Sequence, residues 1–101
     1  MTEIELQREI MGFLHLAGVT AWRTNSGYVK KNVKLAPSGT PDIIGYTRDG
    51  RFLGIEVKRP GKPLRRSQIE WHEKAIKAGC KVFVAYSVED VERELAGKSG
   101  A

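Results

Sequence analysis

The stretch from Phe52 to Tyr86 constrains this chain most. It opens on FLGIEVK, in which apolar residues alternate, and closes on KVFVAY, apolar enough for a buried strand. Between them lie a turn with two prolines, RPGKPL, and a segment with helical periodicity over about 68–78, which Ser67 can cap and Gly79 can end. Strand, helix and strand in that order imply a parallel pair joined by a right-handed crossover.

The remaining segments build around this unit. Leu6, Ile10, Phe13, Leu14 and Ala17 recur at helical spacing, so residues 3–17 predict a helix, with Thr2 placed to cap it and Gly18 to end it. A short strand is expected at about 20–25, then a hairpin of two strands, Asp42–Tyr46 and Phe52–Lys58, joined by TRDGR. A last helix over about 88–96 runs into a tail, 97–101, expected to fray. The expected fold is one α/β domain over residues 1–101 with a mixed four-stranded sheet. Ser26 to Pro41, SGYVKKNVKLAPSGTP, reads as a long basic loop, and loops that long in a small domain are usually functional.

Composition closes off several classes. At 101 residues, 41% hydrophobic and 29% charged, the chain is expected to be a single globular domain. It has no apolar run of membrane-spanning length, and MTEIELQREI lacks the basic start and apolar stretch of a signal peptide. The single cysteine, Cys80, excludes an intrachain disulfide and a cysteine zinc cluster. A cytoplasmic protein without a membrane partner is expected. The net charge is +5, but residues 23–66 hold eleven basic residues against three acids, +8, leaving −3 for the two ends. So segregated a charge would draw a polyanion such as nucleic acid; the bland alternative is a solvated basic surface.

Candidate chemistry sits inside that basic segment. Strand alternation places Leu53, Ile55 and Val57 on one face, toward a core, and Gly54, Glu56 and Lys58 on the other. Asp42 begins the neighbouring strand, and the hairpin loop decides whether it reaches Glu56. A two-residue Asp49-Gly50 turn would set Asp42 opposite Val57, on the wrong face. A three-residue loop, Arg48-Asp49-Gly50, with Gly50 left-handed, pairs Asp42 with Glu56. The three-residue loop is the expectation, because glycine suits its third position. Two carboxylates so placed repel, and a hard divalent cation, Mg²⁺ or Mn²⁺, relieves them, with the Val57 carbonyl as a third ligand. Such an ion polarises a phosphoryl oxygen and activates water, which Lys58 can orient. The competing reading is a carboxylate–lysine network that merely holds a hairpin. Glu3 lies about 35° from the middle of the apolar stripe of the first helix, an inward acid that could serve the same site, whereas Glu5 and Glu9 point to solvent.

These residues resemble a known pattern. S38-G39-T40-P41-D42, then I55-E56-V57-K58-R59-P60-G61, then Gln68 in a helix, with W22-R23-T24-N25-S26-G27 and an early helix acid, are similar to the VRR-NUC nucleases of the PD-(D/E)xK superfamily, over residues 3 to about 90. The resemblance implies a core of helix, three strands, helix and strand, and a metal-dependent phosphodiesterase acting on DNA. It makes Asp42 and Glu56 ligands of Mg²⁺ or Mn²⁺, Lys58 the catalytic lysine, and Gln68 a glutamine lining the site. Glu3 is the best match for the helix acid, although related junction resolvases carry it nearer position 7, where this chain has Gln7. Short members of the family resemble phage-encoded Holliday-junction resolvases. Two symmetric cuts by a chain with one site imply a twofold homodimer. Lys30, Lys31, Lys34, Arg59, Lys62, Arg65 and Arg66 are the expected phosphate contacts, positioning DNA by shape. Trp22 and Trp71 are expected in packing or an interface, His15 and His72 on the surface or in packing, and Cys80 as a small core residue.

Overall fold

The computed structural model describes residues 1–24, 28–30, 33–34 and 37–96, with the backbone alone for 28–30 and 33–34. Along the chain run α1 (Glu3–Leu16), β1 (Thr20–Arg23), β2 (Tyr28–Lys30), β3 (Val33–Lys34), β4 (Ile43–Tyr46), β5 (Phe52–Val57), α2 (Arg66–Lys77), β6 (Lys81–Ala85) and α3 (Val88–Leu95). The main sheet has the order β1-β4-β5-β6; the first two pairings are antiparallel, and β5–β6 is parallel across the α2 crossover. This is the expected mixed four-stranded sheet.

Local chemistry explains the element ends. Thr2 and Glu5 form a reciprocal capping box at the start of α1, and Gly18, at φ 75°, lets Val19 N–H donate back to the Leu14 carbonyl at 2.9 Å. The Ser87 hydroxyl caps α3 by accepting from Asp90 N–H at 3.1 Å. Leu6, Ile10 and Leu14 of α1 and Val91 of α3 press on Ile43, Leu53, Ile55, Val57, Phe83 and Ala85, forming one buried cluster on one face of the sheet. Ile10, Leu14, Leu53, Ile55 and Val57 are fully buried. Ile55→Ala should therefore cost about 2–5 kcal/mol.

The opposite face receives α2. A Cβ on Gly54 would stand 3.0 Å from Val82 Cγ1, 3.1 Å from Pro41 Cγ and 3.6 Å from Trp71 Cη2, so the bare glycine leaves room for the indole and the proline ring. The Trp71 ring also meets Phe52 at 6.0 Å between centroids. This wedge sets the height and angle of α2 over β5.

Three expectations need correction. The segment read as one loop from Ser26 to Pro41 contains an antiparallel ladder of β2 with β3, in register Tyr28↔Lys34 and Lys30↔Val33. The second helix starts at Arg66, with Arg65 as its N-cap, and not after Ser67; Gln68 Oε1 accepts from Arg65 N–H at 2.7 Å and draws the first turn back by two residues. Cys80 is half-exposed and lies outside β6, because its N–H closes the end of α2 on the Ala75 carbonyl at 3.0 Å. His72 takes the packing alternative and is buried, while His15 is exposed. The other ends differ from expectation by one or two residues, as frayed element ends do.

Candidate active site

The hairpin sets the site. Tyr46 pairs with Phe52 and Ile43 with Ile55, Thr47 N–H donates to the Arg51 carbonyl at 2.8 Å, and Gly50 has φ 87°. The loop is thus the three residues Arg48-Asp49-Gly50, and extending the register by one step sets Asp42 against Glu56. Asp42 lies just before β4, after the buried Pro41, whose carbonyl accepts from Thr24 Oγ1 at 2.8 Å. Where β4 stops supplying carbonyls, the Asp42 side chain takes over, and its Oδ2 accepts from Val57 N–H at 2.8 Å. Val57 therefore joins the site through its amide, with its side chain in the core.

Glu56 is 3% exposed. Its Oε2 accepts from Gln68 Nε2 at 3.1 Å, and its Oε1 is buried with no hydrogen-bond partner among the described residues. Burial is the main force that pushes the Glu56 carboxyl up to about 9; the charge of the neighbouring Asp42 adds to this, Glu3 adds a smaller push, and the Lys58 ammonium opposes it. Asp42, Glu56 and Lys58 thus share one field at the carboxyl end of β5. Gln68 joins two functions, since the amide that starts α2 with one atom holds Glu56 with the other.

Glu3 is half-buried at the edge of this cluster, and its Oε2 accepts from Arg59 N–H at 3.4 Å. Among the described residues, no group of three His, Cys, Asp or Glu side chains comes together closely enough to hold a metal ion. Glu3 is therefore a rim residue, reaching Glu56 through its charge. Beyond Lys58, Arg59, Lys62, Arg65 and Arg66 are all exposed along the turn that leads into α2, and Arg66 makes only a loose surface pair with Glu70 at 3.9 Å. Lys30 and Lys34 have backbone positions in β2 and β3, and Lys31 lies outside the described residues.

Sequence reasoning missed a pair behind the site. Gln7, 9% exposed and one turn beyond Glu3, accepts from Arg23 Nε at 2.9 Å through its Oε1. Arg23 makes no ion pair among the described residues. The signal was present: alternation along β1 turns Arg23 to the α1 side, opposite to the exposed Trp22, and an inward arginine needs a partner there.

A family model for the VRR-NUC domain matches residues 4–89. A solved structure described as a VRR-NUC domain superposes with a TM-score of 0.71 over 95% of this chain and 96% of that one, at 23% sequence identity. None of the curated proteins matches. With nearly the whole chain matched, and the aspartate, glutamate and lysine brought to one strand end, the protein belongs to the VRR-NUC family of nucleases.

Proposed function

We propose that the chain is a Mg²⁺- or Mn²⁺-dependent endonuclease of the PD-(D/E)xK type that hydrolyses phosphodiester bonds in DNA, selects branched structures such as Holliday junctions, and acts as a homodimer in the cytoplasm. The observation that carries this reading is Glu56, a buried carboxylate with one oxygen unpartnered and a second carboxylate beside it. Leaving an acceptor buried and unpaired costs stability, and a hard cation answers both the empty acceptor and the repulsion. Asp42, Glu56 and the Val57 carbonyl would hold it, and it would supply Lewis-acid polarisation of a phosphoryl oxygen and a more acidic water.

The side chains share the remaining work. Lys58 orients the attacking water and offsets charge on the phosphorane oxygens. Gln68 holds Glu56 in its rotamer, leaving Oε1 free to face a ligand. Glu3, at the rim, adds negative charge that strengthens cation binding at longer range. In the hydrolysis an oxygen from water bonds to phosphorus, one P–O bond to a sugar breaks, and the sugar oxygen leaves with a proton. Lys30, Lys31, Lys34, Arg59, Lys62, Arg65 and Arg66 would neutralise phosphates on either side without reading bases.

Support for a homodimer comes from the half of the sheet that α2 does not cover. Trp22 and Tyr46 are exposed there on strands β1 and β4, and large exposed apolar groups in one area mark interaction surfaces. The test compares a labelled four-way junction with a linear duplex of the same sequence, in Mg²⁺, Mn²⁺ and EDTA. Paired, metal-dependent cuts confined to the junction support the proposal. Equal cutting of both substrates reduces it to a general nuclease. Tight binding without cutting makes the chain a binding module with a structural Asp42–Glu56–Lys58 network.

A further inference from the structure

A cleft beside the cluster plays no part in the chemistry described so far. It opens between the first half of α1, the Arg59–Pro60 turn and the β6–α3 junction, encloses about 270 Å³, and has walls of Leu6, Pro60, Val88 and Tyr86. Leu6 is buried at its base, and Tyr86 keeps 42% of its surface exposed. Two main-chain links tie it to the site: Arg59 N–H donates to Glu3, and Lys58 N–H donates to the Ala85 carbonyl at 3.1 Å. The cleft therefore adjoins the Lys58 end of the site through the backbone of residues 58–60.

The lining selects the occupant. Its charged groups are Arg59, the Met1 α-ammonium and two carboxylates, Glu9 and Glu89, and none of the three side chains forms an ion pair among the described residues. Two acids against two cations leave the cleft no net attraction for a phosphate. An aromatic ring, aliphatic walls and carboxylate acceptors suit the face and amino edge of a nucleobase. The volume falls just below the roughly 300–1,000 Å³ of pockets for drug-sized ligands, which fits a base without its sugar and phosphate.

We propose that this cleft takes one unpaired nucleobase bearing an exocyclic amino group, extruded beside the scissile phosphate, with its face on Tyr86 and its amino group directed to Glu9 or Glu89. The proposal rests on the DNA-nuclease reading above. It assigns branch selectivity a structural source, since unpairing a base is least costly at a branch.

The test measures binding in EDTA to four-way junctions in which single nucleotides near the branch are made abasic in turn, with cleavage in Mg²⁺ run in parallel. The proteins are the parent, Tyr86→Ala and Glu9→Gln/Glu89→Gln. Only the backbone N–H of Tyr86 holds Asp90, so truncating the ring leaves that bond in place. One abasic position is expected to weaken binding by the parent about tenfold, as loss of a base–aromatic stack does. Tyr86→Ala should bind intact and abasic DNA equally. Thymine at that position should weaken binding by the parent and leave the double glutamine variant unaffected. A parent that cuts DNA but has no sensitive position overturns the cleft assignment and keeps the nuclease. Uniform weakening by Tyr86→Ala on every substrate assigns the cleft to backbone contact and also overturns it. A parent that neither binds nor cuts DNA removes both readings.

Discussion

The two faces of β5 meet opposite requirements. On one, Leu53, Ile55 and Val57 are fully buried in an apolar cluster with residues of α1 and α3. On the other, Gly54 gives way to Trp71 and Pro41, and Glu56 is buried with one oxygen unpartnered. The first face gains stability from area removed from water. The second gives up stability, because a carboxylate pushed up to about 9 by burial and by Asp42 resists ionisation where the enzyme must work. A strand that spends one face on the core can hold such a group on the other, and that division places the strain at the functional site.

The largest effect should come from breaking the polar face. Lys58→Met should lower cleavage by about 10²–10³-fold, as loss of one group that stabilises developing charge does, while the denaturation midpoint barely moves; single-turnover rates and urea melts read the two quantities separately. The mirror-image change, Ile55→Ala, should lose about 2–5 kcal/mol in urea and keep the rate of whatever fraction remains folded.

Titration sharpens the contrast. A carboxyl raised from the ordinary 4.5 to about 9 binds more protons folded than unfolded across that window. The metal-free chain should therefore lose stability as the pH rises from about 4.5 to about 9, the contribution being fully present only at the acid end. Glu56→Gln should flatten that slope and raise the melting temperature at pH 8. Mg²⁺ should stabilise the parent more at pH 8 than at pH 5, and calorimetric melts across pH check all three.

Smaller effects lie at the supports. Gln68→Ala should lower cleavage by about tenfold, because it loses both the Arg65 cap and the hold on Glu56. Its cost in stability should be about 1 kcal/mol. Lys62→Ala should weaken binding evenly across DNA sequences and reduce the slope of affinity against salt by about one.

Much of this contrast was legible in the sequence, for physical reasons. Period-2 alternation in FLGIEVK separates the faces of β5, and glycine at the third loop position selects the register that brings Asp42 to Glu56. Gln68 was recognised by resemblance, but its capping of α2 was not, since Ser67 is the better cap by residue type; the choice was made by a contact with Glu56 twelve residues earlier. Alternation turns Arg23 inward, but the burial of Gln7 and His72 and the choice of Gln7 as the partner of Arg23 depend on how α1 and α2 sit against the sheet, which no local pattern encodes. The β2–β3 ladder lies in a segment rich in lysine, where charge hid two very short strands.

The most direct measurement is single-turnover cleavage of one labelled four-way junction by the parent and by Glu56→Gln, each in Mg²⁺ and in EDTA, with binding measured on the same samples. The account predicts cutting by the parent in Mg²⁺ alone, and a variant that binds as tightly, melts at least as high and does not cut. Cutting by Glu56→Gln at the parental rate, or by the parent in EDTA, would contradict it.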